Sequence, residues 1–171
     1  EEQDPANPER YRTPDGWKVF ETRRSIISIR DEAPLTVTLR WSVNGPILPG
    51  GHFDLQSVTP PGHVMALGWT GLSPADTSMS AAIGLMQARS MGEALVAGAT
   101  QIAPALTVTM AEKGRVGMAL FGALPARDAR HQSQGRMPAP GWLPENRWQG
   151  VRPAADNPRF LDPAGGIVGS T

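Results

Sequence analysis

Few residues in this 171-residue chain have types and spacings suited to chemistry, and those few are scattered. His52-x-Asp54 would place an imidazole and a carboxylate on one face of an extended segment, yet two ligands do not make a metal centre. His63 and His131 stand alone and read as polar loop residues. The chain has no cysteine, which excludes a thiol nucleophile, a thiolate metal site and a disulfide framework. No serine lies in a G-x-S-x-G elbow, and there is no phosphate loop. The glycines of Gly165-Gly166-Ile167-Val168-Gly169 are wrongly spaced for a dinucleotide fingerprint. Arg127, Arg130, Arg136, Arg147, Arg152 and Arg159 gather positive charge in the last third. Asp128, Glu145 and Asp156 lie close enough in sequence to pair with them on a solvated loop. The residues alone supply no complete catalytic constellation.

The elements that would position a site are clearer. Pro104–Arg127 holds two strand-like runs, Leu106–Met110 and Arg115–Phe121. In the first, Leu106, Val108 and Met110 alternate with Thr107 and Thr109. Gly114 in the short connection supplies the positive φ that closes a hairpin, and Gly122 and Pro125 end it.

Upstream, residues 1–16 are polar and proline-containing and read as a connection ending in a Pro14-Asp15-Gly16 turn. Trp17–Glu21, Arg24–Arg30 and Leu35–Val43 read as strands of an antiparallel meander, with shorter strands expected in Ser57–Thr59 and His63–Trp69. Ser73-Pro74-Ala75-Asp76 has the form of a helix start, and Met79, Ala82, Ile83 and Met86 recur at helical spacing. This pattern predicts that the methionines are core residues. Ser90-Met91-Gly92-Glu93 is a second capping box. Residues 128–158 lack periodicity and read as a long ordered loop anchored by Trp142, Leu143, Trp148 and Phe160. Ile167–Thr171 reads as a buried strand.

The expected organisation is thus a single partial α+β domain, largely antiparallel. It comprises a β-rich meander over 1–70, a two-helix insert over 73–103, the hairpin over 104–127, and a long loop with a terminal strand over 128–171. Sixteen basic and sixteen acidic side chains cancel, so no bulk field recruits nucleic acid or an anionic membrane. The uncharged runs Leu55–Ala75 and Ala94–Ala111 contain prolines, glycines and polar residues and do not read as membrane spans. The chain opens at Glu1 without a methionine and closes as if inside a strand, and it is read as a segment or processed piece.

The order of these features resembles the β-subunit of penicillin amidases, within the N-terminal-nucleophile hydrolases. Arg12–Arg30, Trp41–Leu48 (WSVNGPIL), Ala66–Trp69 and Ala88-Arg89-Ser90 with Glu93 carry the resemblance upstream. The hairpin with Gly122, Pro125 and Arg127 carries its centre. Pro138–Trp142, Trp148-Gln149-Gly150, Asn157-Pro158 and Asp162-Pro163-Ala164-Gly165-Gly166 complete it in order.

The resemblance implies an αββα-type parent that hydrolyses a linear N-acyl amide, of a β-lactam, a homoserine lactone or similar. A serine, threonine or cysteine at the β-subunit N-terminus attacks, with its own α-amine as base. The resemblance puts that nucleophile before Glu1 and the asparagine of the oxyanion hole just after Thr171. The chain alone is therefore expected to be inactive, with no catalytic or metal residue of its own. Leu106 is expected to face the acyl pocket, with Thr107 pointing the other way.

The implied partners are the rest of the same precursor, namely the α-subunit and the remainder of the β-subunit, and a small N-acyl amide. Nucleic acid and membrane are not expected. The parent is expected to be periplasmic or secreted. Its calcium, where it carries one, would use carboxylates outside this chain and at most a backbone carbonyl near Gly135. Departures fall at Asn44, where the family has histidine, at Leu106-Thr107, at Glu112 and at Arg115. They leave open an alternative, a non-catalytic binding or structural module on the same scaffold.

Overall fold

The computed structural model describes residues 1–51 and 54–169. His52, and with it the His52-x-Asp54 pair, lies outside the described residues. The architecture is α+β with antiparallel pairing in every sheet whose register is defined. Two compact units form, Glu1–Trp69 with Arg127–Arg147, and Thr70–Ala126 with Trp148–Thr171.

In the first unit, β1 (Gln3–Asp4), β2 (Asn7–Thr13) and β3 (Gly16–Val19) make one sheet. A second sheet comprises β4 (Glu21–Ile27), β5 (Leu35–Ser42) and β6 (Gly45–Pro46). The polar N-terminal stretch is therefore not a connection. Its strand β2 carries Tyr11, 1% exposed, whose ring stacks on Phe20 at 4.7 Å between centroids. The meander is also divided, because β3 pairs back onto β2 while β4 pairs forward onto β5. The three runs themselves fall close to their expected positions. Ser57–Thr59 and His63–Trp69 form no strand. Leu55–Ser57 is a 3-10 turn, and His63 and Ala66 make only isolated bridges, to Glu2 and Ile47.

The register of β4 on β5 sets Ile27 opposite Leu35, Ser25 opposite Val37 and Arg23 opposite Leu39 on one face. Thr22, Arg24 and Ile26 meet Arg40, Thr38 and Thr36 on the other. This ribbon is amphipathic, yet Ile27, Leu35 and Leu39 remain exposed.

In the second unit, α1 (Ser78–Gln87) and α2 (Met91–Gly98) precede β7 (Leu106–Glu112) and β8 (Arg115–Phe121). The chain continues through β9 (Pro125–Arg127), β10 (Trp148–Val151) and β11 (Arg159–Leu161). β8 is the centre of a β11-β8-β7 sheet, and β10 pairs with β9. The hairpin forms as its alternation and Gly114 (φ 77°) dictate. On β8, Gly117, Ala119 and Phe121 are buried under α2. The sulfur of Met91 lies 2.8 Å from where a Gly117 Cβ would sit, and a Cβ on Gly98 would overlap the Phe121 ring. Two bare α-carbons are what let helix and sheet approach so closely.

α2 starts as its capping box specifies. The Ser90 hydroxyl accepts from the Glu93 N–H at 3.2 Å, and the Glu93 carboxylate accepts from the Arg89 N–H at 2.7 Å. α1 does not start at Ser73. The Ser73 hydroxyl accepts from the Ala75 N–H in a local turn, and the helix opens at Ser78. Its apolar stripe is not core either. Met79, Ile83 and Met86 are 75%, 50% and 86% exposed, and Ala81 is the α1 residue that is buried. The loop over 128–158 contains β10 and two 3-10 turns, Pro144–Asn146 and Ala154–Asp156. Residues 167–169 form no strand, with Ile167 82% exposed. Ser170 and Thr171 lie outside the described residues. No helix is long and apolar enough to cross a membrane, among the described residues.

Candidate functional site

The resemblance singles out one wall residue, Leu106, and the second unit fixes where it lies. The segment entering β7 is pinned at three points. The Ser78 hydroxyl, in the first turn of α1, accepts from the N–H groups of Ile102 and Ala103 at 3.0 and 2.9 Å. The Gln101 side chain, 6% exposed, donates to the Pro104 carbonyl at 3.1 Å. Ala123 N–H closes onto the Ile102 carbonyl at 2.9 Å. Ser78 in turn donates to Asp76, whose carboxyl this hydroxyl and the Ser78 N–H hold below the usual carboxylate range.

From that anchorage Leu106 opens β7 opposite Phe121, and the two share a face of the sheet. Thr107 lies opposite Leu120 on the other face. Leu106 is 43% exposed, so its side chain is neither sealed in a core nor free in solvent.

The departures from the family pattern have structural work in this chain. Glu112 accepts from the Met91 N–H at 2.9 Å, placing a carboxylate at the positive end of α2, and it pairs with Arg115 at 3.1 Å. Arg115 also donates through Nε to Asp162 at 2.8 Å. That bond is the main reason its guanidinium is held above its ordinary range. Sequence reasoning marked both positions only as departures. The signal available was the opposite charge of two residues flanking the Lys113-Gly114 turn.

In the first unit, Asn44 occupies a polar knot. Its Nδ2 donates to Glu1 Oε1 at 2.9 Å and to the Gly141 carbonyl at 3.1 Å, and the Ser42 hydroxyl donates to the same Glu1 oxygen at 2.6 Å. Asn44 thus fastens the β5–β6 turn to the first residue and to the loop at Gly141. His63 and His131 are structural. His63 Nδ1 lies 2.9 Å from the Pro61 carbonyl, and its ring tilts against Trp142. His131 is 8% exposed, and its Nδ1 accepts from the N–H groups of Ser133 and Gln134. Of the expected arginine pairs, Arg130 holds Asp128 at 3.0 Å. Arg152 reaches the Asp156 backbone carbonyl instead of its carboxylate.

Calcium needs six to eight oxygen ligands with several carboxylates among them. Among the described residues no group of three or more His, Cys, Asp or Glu could hold a metal ion. The most buried acid, Asp4 at 5% exposure, is already committed to Arg10, whose Nε and Nη2 both donate to Oδ2. These residues by themselves do not fit a calcium cage.

The Asp4–Arg10 contact also carries a pH dependence. The Arg10 hydrogen bond, followed by the N–H of Ala6, lowers the Asp4 carboxyl below its ordinary value. In the unfolded chain Asp4 titrates near about 3.9. The ionised carboxylate therefore contributes stability that is fully present above that value and is lost as pH falls through the depressed folded value. Thermal midpoints taken across the acid limb should show the unmodified protein more stable than Asp4→Asn at neutral pH. The two should converge below about pH 4. Parallel curves would remove Asp4 from the acid response.

The chain is thus an α+β scaffold in which Leu106, half-exposed, opens β7. The model for the penicillin amidase family matches residues 1–171, the whole chain, and the chain belongs to that family. Among solved structures, a thermostable penicillin G acylase from Alcaligenes faecalis in an orthorhombic form superposes with a TM-score of 0.78 at 23% identity. The match covers 96% of this chain and 28% of that one. At that identity the likeness establishes the fold. No curated protein matches.

Proposed function

We propose that this chain is scaffold and pocket wall of an amidase that hydrolyses a linear N-acyl amide, a β-lactam side chain, a homoserine lactone or a similar substrate. The observation that carries this reading is the family match over residues 1–171. The reaction would use an N-terminal nucleophile and an oxyanion donor supplied by other parts of the same precursor. Its α-subunit and the rest of its β-subunit are the macromolecular partners. A periplasmic or secreted location follows from the same reading. Calcium, where the parent binds it, would rely on ligands beyond these residues.

The experiment compares the purified 171-residue chain with the intact parent on a chromogenic N-acyl amide. The parent should turn over and the chain should not, since loss of one oxyanion donor alone costs roughly 10²–10³ in rate. Hydrolysis by the chain itself, blocked by a serine acylator, would defeat this reading. An inactive, unprocessed parent would favour the non-catalytic module.

Leu106 is the residue assigned to the acyl group, and its partial exposure supports that role. In the parent, Leu106→Ala should shift the ratio of kcat/KM between short and long acyl chains. Because 43% of the residue is already exposed, the stability cost should be about 1–2 kcal/mol, less than the 2–5 kcal/mol of a fully buried leucine. A larger cost with unchanged chain preference would make Leu106 an ordinary packing residue.

A further inference from the structure

The helix-facing side of the β11-β8-β7 sheet continues past the α2 contact into an open cleft of about 270 Å³. Ala119 and Phe121 of β8 form its floor, Leu95, Val96 and Ala99 of α2 one side, and Ala154, Ala155 and Pro158 the other. Among the lining residues there is one charge, Arg159, and it is positive.

Strand register places that charge. Arg159 pairs with Ala119 and Leu161 with Gly117. A Leu161 methyl lies 2.9 Å from where a Gly117 Cβ would sit, beside the Met91 sulfur, so odd-numbered β11 residues face the helix side. The Arg159 guanidinium therefore belongs to the cleft side of the sheet, and it has no ion pair among the described residues. Asn157 lends a carboxylate no donor, because its Nδ2 is spent on the Leu120 and Gly122 carbonyls and its Oδ1, buried without a partner, is an acceptor.

We propose that this cleft binds a small aliphatic monocarboxylate, chain against α2 and β8 and carboxylate on Arg159. Charge complementarity selects the anion. A mostly apolar lining with a few polar groups, here Arg159 and Asn157, is the usual form of a small-ligand site. The guanidinium fork suits a carboxylate better than an isolated ammonium would. The volume, at the small end for such sites, limits the ligand to a short chain. The site is independent of the amidase reading and of Leu106.

Methyl NMR on the intact protein tests it with two probes of equal length, hexanoate and hexan-1-ol. Saturable shifts of the Leu95 and Val96 methyls should appear with both, with hexanoate bound about tenfold more tightly, as a charge-assisted hydrogen bond allows. Arg159→Gln, an exposed position, should bring hexanoate down to the affinity of the alcohol, and Arg159→Lys should restore part of the difference. Ala155→Phe should abolish both. Shifts that do not saturate, equal affinity for the two probes, or an Arg159→Gln variant that still prefers hexanoate would each overturn the proposal.

Discussion

Gly45→Ala should be the most damaging small substitution in the first unit, costing about 4 kcal/mol or more and leaving little folded protein. Two effects add. Gly45 has φ 131°, a conformation open essentially to glycine, and holding alanine there costs about 1–3 kcal/mol. The second effect is overlap, since the new Cβ would collide with the backbone carbonyl of Leu67. That carbonyl cannot swing aside cheaply. Leu67 N–H donates to the Pro46 carbonyl and Leu48 N–H to Met65, so both sides of the contact are tied. Gly16→Ala is the control, because Gly16 has φ 115° but an added Cβ meets nothing within 4 Å. It should lose only the strain component. Urea midpoints of both variants, with yields, decide the matter. Equal losses would mean that backbone strain alone accounts for Gly45.

Tyr11 should be next. Its ring is 1% exposed against Phe20, and its hydroxyl accepts from the Val43 N–H at 3.0 Å. Burial raises its phenol above the ordinary value, as expected for a group kept neutral. Tyr11→Ala should cost about 3–5 kcal/mol through the cavity. Tyr11→Phe keeps the ring and removes one hydrogen bond to Val43, a residue 44% exposed, for about 0.5–1.5 kcal/mol. Chemical denaturation should show both as shifts in midpoint with unchanged slope. A Tyr11→Phe variant as stable as the parent would mean that Val43 finds another acceptor.

Tyr11 also shows where sequence reading reached its limit. Its surroundings, Asn7-Pro8-Glu9-Arg10-Tyr11-Arg12, carry no alternation, so β2 was illegible. The strand is held by pairing on both sides, Gln3 to Tyr11 and Arg10 to Val19, rather than by its own pattern. The hairpin was legible because Leu106, Val108 and Met110 alternate and Gly114 supplies the turn, two local causes that agree. α2 was legible from Ser90 and Glu93. α1 was legible as a helix but not in its burial. Periodicity in Met79, Ile83 and Met86 reports that a face is apolar, and says nothing about what covers it. The family was legible from the order of its motifs. The resemblance assigns Leu106 a role, whereas the ties through Ser78 and Asn44 join residues far apart in sequence and leave no local trace.

The amphipathic ribbon of β4 and β5 has a dynamic counterpart. Near Trp41 and Ser42 it is three strands wide, with β6 alongside and the Arg40 guanidinium over the Phe20 ring. Toward Ile27 and Leu35 it narrows to two strands with exposed isoleucine and leucine. An isolated two-stranded hairpin is marginal in water. Its ladder should therefore open from the tip inward, and hydrogen exchange should reach the amides there before those beside β6. The ribbon is a zipper with one fixed end.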